Sequence, residues 1–203
     1  MSETGTIERL RAYRKTYIAM LVSSILSLIA SLVLSIDAIK LAAAPSGKLS
    51  CDINAVLSCG KVAKSWQSEL LGFPNAFIGL MTEPVVITVA IAGLGLVAFP
   101  RWFMRVAHVV YGLGLLFALW LLSQSFFVIN ALCPWCLLVT VSTITVFSTI
   151  TRVVLLENSW NLSPERQEKV VSFLEKGWGR VFYTMSYAFI VVGIFLKYGN
   201  EII

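Results

Sequence analysis

Four stretches of this chain, about residues 17–36, 77–99, 106–129 and 133–156, run for twenty residues or more with at most one Asp, Glu, Lys or Arg in each. No other feature constrains the fold as strongly. A helix rises 1.5 Å per residue, so about twenty apolar residues cover a hydrocarbon core of about 30 Å. Inside that core every backbone N–H and C=O must be satisfied within the segment, which a helix does. A transmembrane barrel would show alternating segments of about ten residues instead. A fifth run, about 181–196, spans roughly 24 Å and is just long enough to cross. The expected fold class is therefore all-α: a polytopic membrane protein, one integral membrane domain over residues 1–203. The composition agrees, since 58% hydrophobic and 13% charged residues are too apolar a mixture for a soluble domain.

The charges outside the spans give an orientation. Five crossings put residues 1–16, 99–105 and 157–180 on one side, and with Arg152 that side holds eleven of the sixteen Lys and Arg residues. Lys40, Lys48, Lys61, Lys64 and Lys197 fall on the other. The positive-inside rule assigns the first side to the cytoplasm. The same distribution accounts for the net charge of +5, so no nucleic acid partner is called for. Ala42-Ala43-Ala44 resembles a signal-peptide cleavage site, but the preceding apolar run exceeds a signal h-region and Asp37 and Lys40 intervene. The first span reads as an uncleaved anchor.

Within the spans, Ser23, Ser27, Ser31 and Ser35 recur every fourth residue, a pattern of close helix packing. Glu83 precedes Pro84 inside the second span. A carboxylate there costs about 2.5–3.5 kcal/mol on insertion scales, which makes a functional role the default. The competing reading is a protonated, bundle-facing glutamate hydrogen-bonded near the gap Pro84 leaves. The lone histidine, His108, sits at the basic end of the third span and reads as interfacial, not as a base. Trp178, Tyr183 and Tyr198 are placed to anchor the fifth span at the interfaces. Between spans one and two, residues 43–76 form the one long external segment. From Ala55 to Leu71 its apolar residues recur at helical spacing, predicting a short amphipathic helix on the membrane with Asn54 or Ser58 as N-cap.

The chain has four cysteines. Cys51 and Cys59 lie in the long external segment, and Cys133 and Cys136 form a CPWC motif opening the fourth span. Four cysteines allow three pairings, and the sequence does not choose among them. Zinc is a poor fit, since the loop pair lacks ligand spacing and no histidine lies nearby. Pro134 suits the first turn of a helix, and a helix N-terminus favours the thiolate that disulfide exchange needs. Taken alone, CPWC reads equally as redox chemistry or as two small buried hydrophobes. Both pairs, however, fall on the outer side, where a disulfide can pass between them by exchange.

With these residues in order, the sequence resembles the vitamin K epoxide reductase family. The resemblance rests on Cys51, Cys59, Ser65, Asn75 in Asn-Ala-Phe-Ile-Gly, and CPWC at the last shared span. A loop pair preceding a membrane CxxC separates it from DsbB-type quinone reductases, in which the CxxC comes first. The resemblance implies a four-helix bundle around a quinone, menaquinone or ubiquinone, with the outer loop helix as a lid. It implies that Cys136 faces the quinone ring, that Cys133 exchanges with Cys59, and that Cys51 meets an external thiol partner. Asn75 is implied to hydrogen-bond a quinone oxygen, and Ser65 to sit in the same site near the loop cysteines. The family's animal members carry a tyrosine where this chain has Thr140, so the likeness does not extend to anticoagulant-type inhibitor binding. Many bacterial members append a thioredoxin-like domain; this sequence ends at Ile203, so a separate DsbA- or thioredoxin-like protein is the expected electron donor.

The expected function is thus a thiol-disulfide oxidoreductase of the bacterial inner membrane, passing electrons to a quinone on the extracytoplasmic side. Two alternatives stand beside it. One is an epoxide reductase running the same chemistry on a vitamin K epoxide. The other is a non-catalytic membrane scaffold with two structural disulfides, whose cysteines would resist mild reductant.

Overall fold

A computed structural model describes residues 3–54 and 56–202, with side chains from Tyr13 onward except those of residues 175, 178, 180, 182 and 200–202. The helices are α1 (Glu3–Ala43), α2 (Cys59–Ala63), α3 (Ala76–Leu94), α4 (Arg101–Gln124), α5 (Pro134–Leu156), α6 (Pro164–Glu175) and α7 (Trp178–Ile202). Among the described residues, four helical stretches are long and apolar enough to cross a membrane: Tyr13–Ala43, Ala76–Leu94, Arg101–Ile129 and Pro134–Leu156. The apolar stretch of α7, Tyr183–Gly199, is shorter than these. The protein is a multi-pass all-α membrane protein, and α1 shows Ile18, Val22, Ile29 and Leu32 on its outer surface, as a helix facing lipid should.

Helix α1 packs against α3 and α5, and α4 packs against α5. The serine stripe does mark the α1 contact, though with a shifted register. Ser24, Ser27, Ser31 and Ser35 are buried and Ser23 is only half-buried. A helix repeats every 3.6 residues, so the buried face steps by three and then four, and a strict spacing of four drifts off it. The stripe allows very close approach: a Cβ on Gly79 would lie 2.1 Å from Ser31 Oγ, and one on Gly93 would lie 2.2 Å from the Tyr17 ring. Toward the end remote from the cysteines the bundle closes around Tyr17, Met20, Val86, Met104, Val146 and Val153.

The external loop departs from the expected single helix. It forms α2, capped by the Ser58 side chain accepting from Lys61 N–H, and then a 3₁₀ turn, Trp66–Glu69. Ala55, the expected start, lies outside the described residues. Residues 157–180, read only as polar, contain the amphipathic α6. Tyr198 is not an interfacial anchor: it is 3% exposed and packs with Val56, Leu132 and Phe126, so α7 fastens the loop's base. Lys197 adds to this, donating to Asn130 Oδ1 at 2.7 Å and to the Phe126 carbonyl. The Trp178 side chain lies outside the described ones.

Candidate active site

The chain brings all four cysteines to one end of the bundle through a small backbone clamp. Helix α4 ends in a π-helical turn, Ser125–Ile129, and Asn130 reverses the chain in the left-handed region, with φ 52° and ψ 44°. Asparagine tolerates that region better than most residues. The following strand-like residues then pair with the loop: Leu132 N–H donates to the Val56 carbonyl at 2.7 Å, and Ser58 N–H donates to the Leu132 carbonyl at 3.1 Å. The next residue on each side of this bridge is a cysteine. Cys59 Sγ and Cys133 Sγ lie 3.3 Å apart. Cys51 and Cys59 form a disulfide, while Cys133 and Cys136 are free thiols.

Cys133 is the N-cap of α5, Pro134 occupies the first turn, and Cys136 N–H points at Cys133 Sγ across 3.4 Å. The expected helix start at CPWC is what the structure contains. Cys51 is 8% exposed and Cys59 1%, so both are buried in this conformation, with Cys51 the more open of the two. Leu41 of α1 and Leu49 of the loop pack against the pair.

Asp52 holds the loop in shape. Its carboxylate accepts from Leu49 N–H at 2.9 Å, Ser58 Oγ at 2.7 Å and Gly60 N–H at 2.8 Å. Burial pushes its pKa up, but these three hydrogen bonds and the Lys64 charge outweigh that and leave it below the ordinary carboxylate value. A Cβ on Gly60 would lie 2.7 Å from Asp52 Oδ2, so this close backbone approach requires glycine.

Beneath the cysteines lies a cavity of about 840 Å³. Small residues make the space: Ser31, Gly79, Gly114, Ala118, Thr140 and Thr143 line it. Cys136 lies in its wall, and Cys59, Val62 and Trp66 contribute to its roof. The cavity lies between α3 and α4, which make little contact with each other. Its size and largely apolar lining suit a small hydrophobic molecule.

Ser65 and Asn75 reach the same cavity. The Ser65 hydroxyl donates to the Val62 carbonyl at 2.6 Å and so shapes the lid's own backbone. Asn75 donates to the Gln67 carbonyl at 2.7 Å, and its Oδ1 is buried with no protein partner among the described residues. Glu83 forms the lower limit. It is 3% exposed, and its Oε1 accepts from Ser27 Oγ at 2.7 Å and Tyr111 OH at 2.9 Å, while Oε2 has no partner among the described residues. Glu83 thereby joins α1, α3 and α4. His108 bonds Thr151 and stacks on Phe147, away from the cysteines. Sequence reasoning missed Asp37, Asp52, Gln67 and Gln124. Gln67 and Gln124 face each other at 3.4 Å and dock the lid on α4. No spacing or motif singles these four out; only the folded contacts do.

The fold and site together define a class: a helical membrane protein with a redox-competent cysteine cluster above an apolar cavity. The sequence matches the Vitamin K epoxide reductase family over residues 18–151, and the chain belongs to that family. Membership makes it a membrane oxidoreductase of the thiol-disulfide and quinone type. No curated protein matches the chain.

Proposed function

We propose that this protein carries electrons from an extracytoplasmic DsbA- or thioredoxin-like dithiol to a membrane quinone, menaquinone or ubiquinone, and so supports disulfide formation in exported proteins. The placement in a bacterial inner membrane, cysteines outward, is part of the same reading and rests on the eleven-to-five split of Lys and Arg. The observation that carries the function is the 3.3 Å approach of Cys59 Sγ to Cys133 Sγ, directly above the cavity. Exchange needs such contact between the attacking and attacked sulfurs.

The cavity fits a quinone on its own chemistry. Its lining is mostly apolar, and Asn75 Oδ1 and Glu83 Oε2 are buried polar atoms awaiting a partner. Cys136, Asn75 and the loop around Ser65 would hold the ring, with α3 and α4 flanking the rest. A bound quinone accepts two electrons and two protons for each dithiol oxidised. The protein's own steps precede this. A partner thiolate attacks Cys51 Sγ and releases Cys59 as a thiolate. Cys59 attacks Cys133 in the Cys133–Cys136 disulfide and frees Cys136 at the cavity wall. The partner's second thiol displaces Cys51 from the mixed disulfide, so the partner leaves oxidised, and Cys51 then attacks Cys59 to re-form the loop disulfide and leave the electrons on Cys133 and Cys136. The bonded loop pair and free CxxC thiols match that last arrangement.

The test is turnover by purified protein given a reduced thioredoxin-like protein and a short-chain quinone. Quinone reduction with the parent and none with Cys59→Ala supports the relay. Full activity in Cys59→Ala would remove the loop pair from the path.

A further inference from the structure

The relay just proposed needs a proton to leave Cys51. When Cys59 is bonded to Cys133, Cys51 must attack Cys59 as a thiolate, and it does so from a buried position. Cys51 is 8% exposed, and the surrounding cluster of Leu41, Leu49, Cys59 and Cys133 is apolar. Such surroundings disfavour a thiolate unless a base stands beside the sulfur.

A carboxylate does stand there. Asp37, on the last turns of α1, is 4% exposed and places Oδ2 at 4.0 Å from Cys51 Sγ. With Cys51 in its disulfide this is a contact only. Once that bond opens, the Cys51 thiol hydrogen has this oxygen as a neighbour. The other carboxylate of the loop is not free for the task, because Asp52 is committed to Leu49 N–H, Ser58 Oγ and Gly60 N–H. Asp37 has one ionic partner among the described residues, Lys40 at 3.8 Å on the same helix. The ammonium offsets part of the cost of an anion in this pocket and leaves Oδ2 toward the sulfur. Asp52 from the loop and Cys133 from the start of α5 are the other titratable groups within electrostatic reach of Asp37. A buried acidic side chain placed at a reacting sulfur, away from any bundle-stabilising pair, is a candidate for proton transfer.

We propose that Asp37 is the proton acceptor for Cys51 in the step that regenerates the loop disulfide. This deepens the relay reading and rests on it. The Cys51 thiol proton passes to the Asp37 carboxylate. Cys51 Sγ attacks Cys59 Sγ, the Cys51–Cys59 bond forms, and the Cys59–Cys133 bond breaks with its electron pair leaving on Cys133 Sγ. Cys51 is oxidised and Cys133 reduced, so the exchange balances without an outside oxidant. In the reverse direction the protonated Asp37 returns the proton to departing Cys51.

A single-turnover experiment on the full chain tests this. Protein with all four thiols reduced is freed of reductant and mixed with a short-chain quinone. Samples are quenched in acid at intervals, alkylated, and their linked peptides mapped by mass spectrometry. In the parent the Cys59–Cys133 peptide is expected to appear transiently. In Asp37→Asn it should persist with Cys51 alkylated as a free thiol, its decay slowed on the order of 10²-fold, the lower range for a positioned base. The slowing should shrink as pH rises, because solvent hydroxide increasingly takes over the deprotonation of the thiol. Asp37→Glu, which keeps the carboxylate, should decay like the parent. Should Asp37→Asn lose the parent's elution profile, Asp37→Ser carries the same expectation. Cys51→Ala serves as reference, since the Cys59–Cys133 bond is there the end product. Its absence in Cys51→Ala overturns the relay and this proposal with it. Its presence there, with parent-like decay in Asp37→Asn at every pH, overturns the role of Asp37 alone.

Discussion

The same helices build two unlike halves. Away from the cysteines, Tyr17, Met20, Val86, Met104, Val153 and Val154 interlock into a buried core. Toward the cysteines, Ser31, Gly79, Gly114, Thr140 and Thr143 leave a cavity of about 840 Å³. Side-chain size decides the difference. Large residues fill the space between helices in one half, while small ones leave it open in the other. Glu83, tied to Ser27 and Tyr111, sits at the border. One half therefore holds the bundle together and leaves the other free to be hollow. Stability and activity should separate along the same line.

The largest expected effect falls on the hollow half. Cys136→Ala should reduce quinone turnover to background while thermal unfolding in detergent stays near the parent's. A large loss of thermal stability in that variant would blur the division. Next comes the packed half, where Met20→Ala should lower stability by about 2–5 kcal/mol, the usual range for such truncations. Turnover per folded molecule should change little, and an equal loss of both would show that the core also tunes the site.

Gly114→Leu sharpens the contrast. A Cβ at Gly114 meets nothing within 4 Å, so a larger side chain enters open space. Quinone turnover should fall about ten-fold or more, the range one or two misplaced methylenes produce in a binding pocket, with no loss of thermal stability. Gly79→Ala, one helix away, should instead destabilise by about 1–3 kcal/mol, because its Cβ collides with Ser31. Parent-like turnover in Gly114→Leu would mean that the cavity is not the quinone site.

The smallest effect concerns pH and the lid. Asp52 lies outside the spans and its folded pKa is depressed. Such a group adds stability above its unfolded pKa, near about 3.9, and that contribution is lost as pH falls through the folded value. The loop should therefore hold its shape through neutral pH and loosen only below about pH 4. Amide exchange at Gly60 would report the loosening, and Asp52→Asn should show it already at neutral pH. An Asp52→Asn loop as protected as the parent's would assign the loop's shape to the disulfide alone.

The helices were legible because hydropathy is written along the chain: the runs from Tyr17, Phe77, Val106 and Cys133 each became a membrane helix. Pro134 and the capped start of α5 were likewise readable, since capping depends on a few adjacent residues. Boundaries in the external loop were less so. The periodicity from Ala55 to Leu71 predicted one helix, but the chain breaks into α2 and a 3₁₀ turn. There the pairing of Val56 and Ser58 with Leu132 and the hydrogen bonds to Asp52 set the local geometry. Tyr198 shows the same limit, since an aromatic near a span end reads as an interface anchor until a neighbour is known to bury it.

By itself the sequence determined the class of fold, the four helical spans, the four cysteines and the family they resemble, because hydropathy and motif spacing are local properties. Beyond the Cys59–Cys133 exchange that the resemblance implied, the tertiary structure decided which atoms meet. It paired Cys51 with Cys59, set Cys133 against Cys59, put Asp37 beside Cys51 and left the hollow under Cys136. The contacts of Asp37 with Cys51 and of Cys59 with Cys133 join residues on different segments, fourteen and seventy-four positions apart. Such distances are closed by packing between helices, which depends on side-chain volumes across the whole bundle and leaves no mark in any one stretch.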